Sequence, residues 1–209
     1  MMRKIRWAAY GLIVVLGLGW GVFLLGGDRG ALSRVTDAAS GMQLPGGVSL
    51  GGPFSLVDTQ QNEVTDASFR GRWMLVYFGY TYCPDVCPTE LQAMVDALDK
   101  LGPGSLGIAP IFITIDPERD TPASLADYVK LFDNRLIGLT GTPVQIAAAA
   151  KAYRVYYAKS TPKDAGTYLM DHSSFIYLMG PDGKFRALFR QGMSPQELAD
   201  GIRARMAGS

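Results

Sequence analysis

Apolar and polar positions follow one another along the chain in runs that predict an ordered succession of strands and helices. Three runs are almost entirely apolar and rich in Val, Ile, Phe and Tyr, as expected of buried strands: WMLVYFGY (73–80), LGIAPIFITI (106–115) and FIYLM (175–179). FRALFR (185–190) follows a PDG turn and is predicted to form a hairpin with the third run. Helical patterns lie between and after these strands, at about 88–101, 122–132, 143–152 and 195–206.

This succession predicts the fold class. Strand and helix alternate twice before a terminal hairpin and helix, which indicates an α/β domain whose mixed sheet has helices on both faces. The layout is that of a thioredoxin-like domain, although the alternation alone also fits other three-layer folds. We place the domain at residues 53–209, a length typical of one domain with a complete core.

Three of the predicted helices begin with the same motif, a hydroxyl residue followed by proline. Thr121-Pro122, Thr142-Pro143 and Ser194-Pro195 each put a capping hydroxyl before a proline at the first helical position. The segment Cys87-Pro88-Thr89-Glu90 has the same form, with a thiol in place of the hydroxyl. The sequence therefore predicts Cys87 at the N-cap of the helix 88–101, where unpaired N–H groups favour the thiolate.

The residues before this domain have a different composition. A basic leader (1–6) precedes 19 uncharged residues (7–25), which as a helix would extend roughly 28 Å, about the thickness of a hydrocarbon core. A cleavable signal peptide is the alternative, but its apolar region is usually shorter and has a small-residue cleavage site close behind it. Residues 26–52 contain eight glycines and are predicted to form a flexible linker. We expect 7–25 to be a transmembrane anchor.

The charges indicate the compartment. The basic residues precede the apolar segment, which predicts a cytoplasmic N-terminus and places everything after Leu25 outside the cytoplasm. The short leader suits a single-pass protein of the bacterial inner membrane with a periplasmic domain. The exported part keeps 17 of the 20 basic residues against 19 acidic ones, and it has no run of Lys and Arg. Nucleic-acid binding therefore has no support.

Both cysteines of the chain, Cys83 and Cys87, lie in YCPDVCPTEL (82–91), just after the first predicted strand. Open α/β sheets place their sites at such strand ends. A structural disulfide is one interpretation, because exported cysteine pairs usually oxidise, but so short a loop removes only about 2 kcal/mol of chain entropy. Thiol–disulfide exchange is a second interpretation. It typically uses two intervening residues rather than three, yet residues four apart at a helix start can still close a disulfide.

A metal site is the third interpretation, because the chain also contains one histidine, His172. We predict His172 in the loop that enters the strand 175–179, where thioredoxin-like folds bring a loop against the cysteine helix. Two thiolates and one imidazole form a soft, three-coordinate donor set that suits Cu(I), with Zn(II) as the generic competitor.

The motifs resemble the Sco (SenC) family of membrane-anchored copper proteins, which serve cytochrome c oxidase assembly. The resemblance covers nearly all of residues 53–205 and is carried by YFGYTYCPDVCPTEL (77–91), FITIDPERDTP (112–122) and YLMDHSSFIYLMGPDGKF (168–185). It implies a thioredoxin-like fold with an inserted hairpin. It also implies that Cys83, Cys87 and His172 are ligands of copper, as Cu(I) and Cu(II).

The same resemblance implies a metallochaperone rather than an enzyme. Its implied partners are cytochrome c oxidase subunit II, at the dinuclear copper site, and other periplasmic copper chaperones. The alternative is a thiol–disulfide oxidoreductase that keeps the copper-site cysteines of the oxidase reduced, with Cys83 and Cys87 as the reactive thiols.

Further residues near the motifs have open roles. Asp85 is either an oxygen ligand or partner contact, or a plain turn residue. Asp116, Arg119 and Asp120 form either an ion-paired loop that shapes the site or an ordinary solvated loop. Asp171 is a candidate acceptor for the His172 ring. Three methionines are expected to fill the core rather than to bind copper: Met170, Met179 and Met193.

The predicted topology is tested by fusing a reporter that is active only outside the cytoplasm to the C-terminus of the full chain. We expect an active reporter, because the charge bias and the apolar length both place the C-terminus outside. A second reporter, which is active only in the cytoplasm, is fused at the same position. Activity of this second reporter would overturn the assigned compartment.

Overall fold

The computed structural model describes residues 50–161 and 166–208. Within these residues the strands and α-helices are, in chain order, β1 (Ser55–Asp58), β2 (Glu63–Thr65), β3 (Trp73–Gly79), α1 (Val86–Leu101), β4 (Ile108–Thr114), α2 (Pro122–Lys130), β5 (Ile137–Thr140), α3 (Pro143–Tyr153), β6 (Tyr157–Ser160), β7 (Leu169–His172), β8 (Phe175–Met179), β9 (Phe185–Arg190) and α4 (Pro195–Ala207). Short 3₁₀ turns precede β3 and β4, at Asp66–Phe69 and Gly102–Gly107.

Seven of the strands form one mixed sheet, in the order β2-β1-β5-β4-β3-β8-β9. Its centre is parallel, because β3 pairs with β4 and β4 with β5 in that sense, and the flanking strands β1, β2, β8 and β9 pair antiparallel. Every residue of β3 and β4 is buried, which explains why these two strands are apolar throughout rather than alternating. The mixed sheet predicted from the sequence is confirmed.

Helices cover both faces of this sheet. Consecutive residues on a strand face opposite sides of the sheet, so the neighbours of Phe78 and of Gly79 show what covers each face. The Phe78 ring packs against Tyr153 of α3, with centroids 5.3 Å apart. A Cβ atom on Gly79 would lie 2.9 Å from the Cys87 sulfur of α1. The helix that carries Cys87 and the helix that carries Tyr153 therefore lie on opposite faces, as the sequence predicts.

The hydroxyl–proline motif begins three helices, as predicted. Thr121, Thr142 and Ser194 are the N-caps of α2, α3 and α4, and each side-chain oxygen accepts a backbone N–H three residues ahead. The capping boxes at Thr142 and Ser194 are complete. The ends of these helices lie within two residues of the predicted ones.

Five short strands were not predicted. β1, β2, β5, β6 and β7 have three or four residues each, too few for a periodic pattern to be recognised. β6 and β7 pair with each other, antiparallel, as a separate two-stranded sheet. This β6–β7 hairpin lies between α3 and β8 in the chain.

The predicted leader (1–6), anchor (7–25) and most of the linker (26–52) lie outside the described residues. Among residues 50–161 and 166–208, no helix is long and apolar enough to cross a membrane. The described part begins inside the predicted linker: Leu50 is buried, and the Gly51 N–H donates to the Ala152 carbonyl at 3.0 Å.

Close packing of α2 on the sheet depends on Gly138 in β5. A Cβ atom there would lie 2.9 Å from Leu125 Cγ and 3.2 Å from Val129 Cγ1. We expect Gly138→Ala to lower the free energy of unfolding by about 1–3 kcal/mol, the usual cost of overpacking a core. Urea unfolding measures this change. Gly107→Ala is the matched control, because nothing lies within 4 Å of its added methyl group, and equal effects of the two substitutions would contradict the packing argument.

Candidate metal centre

The two cysteines lie where β3 ends and α1 begins. β3 is held at its last residue by the Ile115 N–H, which donates to the Gly79 carbonyl at 2.8 Å. The chain then turns through residues 80–85, here called the cysteine loop, in which the Cys83 N–H donates to the Tyr80 carbonyl at 3.3 Å. Gly79 has no side chain, so the Cys87 sulfur packs directly against the strand. Cys87 is fully buried, and Cys83 is partly exposed.

The prediction that Cys87 is the N-cap of its helix is wrong. The helix begins two residues before Pro88, at Val86, with Asp85 in the N-cap position. The N–H of Cys87 is then one of the first unpaired donors of the helix, and it donates to the Cys83 sulfur at 3.4 Å. The sulfur of Cys83, rather than that of Cys87, therefore faces the electropositive N-terminus of the helix.

The two thiols consequently have opposite electrostatic environments. Hydrogen bonding to the Cys87 side chain, with further help from His172 and the helix N–H groups, holds the pKa of Cys83 well below its usual range despite partial burial. The contact with Cys83 and complete burial raise the pKa of Cys87. The structure thus favours a thiolate at Cys83 and a protonated thiol at Cys87, which corrects the expectation that Cys87 carries the charge. No disulfide joins the two sulfurs in the structure.

His172 reaches the cysteines from the β6–β7 hairpin. The expected position in a loop is wrong, because His172 is the last residue of β7 and pairs with Tyr157 of β6. Its Nδ1 lies 3.1 Å from the Ser173 carbonyl, and its Nε2 lies 3.6 Å from the Cys87 sulfur. A carbonyl only accepts, so Nδ1 donates to Ser173, and this bond turns Nε2 towards the sulfurs. The imidazole is thus oriented as a ligand would be.

The three sequence-predicted ligands are therefore brought together, from positions up to 89 residues apart in the chain. Two sulfurs and one imidazole nitrogen at a largely buried place form a soft donor set that fits copper. In residues 50–161 and 166–208, no group of three or more His, Cys, Asp or Glu side chains is already arranged to hold a metal ion. An ion held by all three donors would require them to converge further and Cys87 to lose its proton.

Of the two alternatives for residues 116–120, the ion-paired loop is the one that the structure contains. Asp116 and Asp120 are buried, and Arg119 pairs with Asp116. Asp120 accepts hydrogen bonds from the Thr81 N–H at 3.0 Å, from the Thr81 hydroxyl at 2.6 Å and from the Thr114 hydroxyl at 2.5 Å. These bonds tie the cysteine loop to the end of β4.

The other sequence candidates have less direct places. Asp85 is exposed, and its carbonyl accepts from the Thr89 hydroxyl at 2.9 Å, as in an ordinary helix start. Asp171 is exposed on β7 next to His172, and the acceptor found at His172 Nδ1 is the Ser173 carbonyl rather than the Asp171 carboxylate. The three methionines are buried, which confirms the expectation that they fill the core: Met170, Met179 and Met193.

Several aromatic residues at the site were missed by sequence reasoning. The His172 ring lies edge-on to Tyr77 and Tyr80, with centroids 6.3 Å and 6.1 Å away. Tyr82 and Tyr168 lie against the Arg119 guanidinium. The available signal was their position, because Tyr77, Tyr80, Tyr82 and Tyr168 all stand within the cysteine and histidine motifs.

Glu90 was also missed, although it lies one turn into the cysteine helix. It is almost completely buried, and its Oε1 accepts the Gly192 N–H at 2.8 Å. This bond joins α1 to the turn between β9 and α4. Burial raises the pKa of Glu90, and the hydrogen bond from Gly192 only partly opposes that shift. The carboxylate thus fixes the N-terminal part of α1, although burial disfavours its charged form.

The chain is similar, in sequence and in fold, to known proteins of one family. The model of the SCO1/SenC family matches residues 43–207. The mitochondrial protein SCO2 homolog of Bos taurus is 45% identical over 158 residues, which make up 75% of this chain and 59% of that protein. This chain thus spans less than two thirds of the length of that curated relative.

Two solved structures with copper bound are also similar. Arabidopsis thaliana ScoI is 41% identical, with a TM-score of 0.73 over 77% of this chain and 100% of that one. Bradyrhizobium japonicum ScoI is 44% identical, with a TM-score of 0.68 over 75% of this chain and 99% of that one. These similarities confirm the thioredoxin-like α/β fold that the sequence predicts.

The cost of burying Glu90 predicts a pH dependence of stability. The folded-state pKa is raised, so the stability contributed by the protonated carboxyl is complete below its ordinary value of 4.5 and is lost as the pH rises through the raised folded value. We expect Glu90→Gln, which keeps an acceptor for Gly192, to remove this loss. The variant should gain stability relative to the parent at pH 7.5 but not at pH 4.5.

Urea unfolding at the two pH values measures the difference. Asp127→Asn, at an exposed carboxylate of α2, is the control and should show no such pH-dependent gain. A Glu90→Gln variant whose stability runs parallel to that of the parent across this interval would contradict the assignment.

Proposed function

The chain belongs to the SCO1/SenC family, and from that membership and the geometry of its site we propose that it is a copper metallochaperone for cytochrome c oxidase assembly. Cys83, Cys87 and His172 are the proposed copper ligands. The observation that carries the proposal is the 3.6 Å approach of His172 Nε2 to the Cys87 sulfur, beside the Cys83 sulfur. No other imidazole exists in the sequence, and this one approaches the Cys87 sulfur.

The donor set favours copper over zinc as the cargo. Two thiolates satisfy Cu(I), which accepts low coordination numbers, whereas structural zinc usually has four ligands. The imidazole adds a harder donor, which makes the set able to hold Cu(II) as well. The copper-bound Arabidopsis and Bradyrhizobium relatives support copper as the metal for this chain.

The structure suggests how the residues divide the work of holding the ion. Cys83 is partly exposed and favours the thiolate, so it is the donor that an incoming ion meets first. Cys87 gives up its proton on binding, and Gly79 leaves room for its sulfur against β3. His172 approaches from a separate hairpin, so it is the donor that can withdraw when the ion passes to a partner.

The proposed partner is cytochrome c oxidase subunit II, with other periplasmic copper chaperones as further partners. Support for the oxidase comes from the family resemblance of the motifs. The uncharged segment 7–25 behind a basic leader supports an anchored protein of the bacterial inner membrane, with the copper-binding domain in the periplasm. In that place the domain would meet the copper-binding side of the oxidase.

Thiol–disulfide exchange is the second candidate function, and the state of the cysteines favours it. A thiolate at Cys83 is the nucleophile that such exchange requires, and Cys87 lies beside it as a resolving thiol. The two functions use the same two cysteines, but exchange has no necessary role for imidazole. His172 therefore separates them.

The test compares Cys83→Ala, Cys87→Ala and His172→Ala in the purified full-length protein. Either cysteine variant should lose tight copper binding, because thiolates supply most of the affinity for Cu(I). His172→Ala should still form and reduce the Cys83–Cys87 disulfide. Its affinity for Cu(II) should fall by more than the about 10–100-fold that loss of an indirect partner of a ligand costs.

Copper stoichiometry, Cu(II) titration and oxidase maturation in cells are the measurements. Full copper binding by both cysteine variants would refute the ligand assignment, and tetrahedral zinc bound in preference to copper would redirect it. A His172→Ala protein that binds copper poorly but matures the oxidase normally would show that dithiol exchange is the function.

A further inference from the structure

Arg119 lies where three segments beside the candidate metal centre meet. These segments are the cysteine loop (80–85), the loop after β4 that contains Arg119 itself, and the chain that enters β7. The β6–β7 hairpin shares no ladder of hydrogen bonds with the seven-stranded sheet in the described residues. Besides the short chain link from His172 to β8, which pairs with β3, side-chain contacts therefore position the hairpin relative to the cysteines.

The Arg119 guanidinium contacts all three segments. Its Nε bonds to Asp116 in its own loop, and its Nη1 donates to the Tyr168 carbonyl at 3.0 Å. Its Cζ lies 3.7 Å from the centroid of the Tyr168 ring and 4.5 Å from that of Tyr82. Tyr82 belongs to the cysteine loop, and Tyr168 directly precedes β7. The guanidinium thus links the segment of Cys83 to the segment of His172.

Burial strengthens the pairing of Arg119 with Asp116, whereas Tyr82 is 56% exposed and covers the guanidinium from the solvent side. The Arg119 side chain is only 14% exposed and that of Asp116 1%, so the pair is little screened by water. The Tyr168 hydroxyl also donates to Asp116, at 2.8 Å, which closes a ring of contacts around the guanidinium. Nη2 is buried with no hydrogen-bond acceptor among the described residues, and the tyrosine faces are its electrostatic partners.

An exposed ion pair adds a weaker second link. Lys159 of β6 pairs with Glu118 at 2.7 Å, and its Nζ lies 4.6 Å from the centroid of the Tyr168 ring. Both charged side chains are about half exposed, so water and salt screen the pair. Arg119 is therefore the stronger of these two charged links between the hairpin and the cysteine loop, and it acts beside the direct ring contact of Tyr80 with His172.

We infer that Arg119 is a positioning residue, whose guanidinium between Tyr82 and Tyr168 sets the approach of His172 to Cys83 and Cys87. The inference rests on the proposed function, since it concerns the third ligand of the same site. Planarity matters here, because a guanidinium stacks on two rings and donates along its edge at the same time, whereas an ammonium does not. Arg119→Lys should therefore behave more like Arg119→Met than like the parent.

The first test uses the metal-free full-length protein, so its result does not depend on copper binding. Amide hydrogen exchange in Leu169–His172 should become about 3–30-fold faster in Arg119→Met, the range that loss of a cation–π contact supports. Arg135→Met is the matched control, because Arg135 also pairs with carboxylates, Asp99 and Asp133, but at an exposed place. Unchanged exchange in this strand would overturn the inference.

The second test asks whether Arg119 acts through His172. Cu(II) affinity should fall about 10–100-fold in Arg119→Met, as for a residue that orients a ligand, and Cu(I) affinity should change much less. In a His172→Ala background the same substitution should have no further effect on Cu(II). An equal loss in both backgrounds would overturn the inference. A parent protein that binds no copper would instead refute the proposed function, and hydrogen exchange would still decide the role of Arg119.

Discussion

The approach of His172 to Cys87 is the interaction on which the site depends, because it joins parts of the chain that no local structure brings together. The two cysteines belong to the end of β3 and the first turn of α1, and they would be neighbours in almost any fold that kept this turn. His172 belongs to another sheet. Its meeting with the sulfur of Cys87, at 3.6 Å, requires the seven-stranded sheet, the hairpin and the loop after β4 to be in place together. The complete donor set is thus a property of the whole domain.

Buried charges and hydroxyls hold these parts in position. Asp120 fixes the cysteine loop through Thr81 and Thr114, while Arg119 and Asp116 connect that loop to the hairpin. Glu90 anchors the base of the cysteine helix on the other side. Asp120 and Glu90 cost free energy to bury in their charged forms, as their raised pKa values show. Such costs are typical of residues that support a functional site rather than the general stability of a fold.

The sequence was most informative for elements whose structure depends only on residues close to them in the chain. The apolar runs of β3 and β4 and the capped starts of α2, α3 and α4 could be predicted because burial and capping depend on neighbouring residues. The start of α1 could not, because Pro88 fits the first turn of a helix that begins at Val86 as well as the first position of one that begins later. The thiolate was assigned to the wrong cysteine for the same reason, since its position depends on which sulfur accepts the Cys87 N–H. The hairpin and the tyrosines around Arg119 depend on contacts between distant segments, which periodicity does not reveal.

The strand order also determines how the domain meets other copies of itself. A sheet that is open at both ends exposes unpaired backbone groups, which are a template for aggregation. Here the ends are β2 and β9. β2 has only three residues and begins with Glu63, while β9 has Arg186 near its start and Arg190 at its end. A strand added to either edge would be short or would have to bury arginine charges, so the open sheet is protected from edge-to-edge polymerisation.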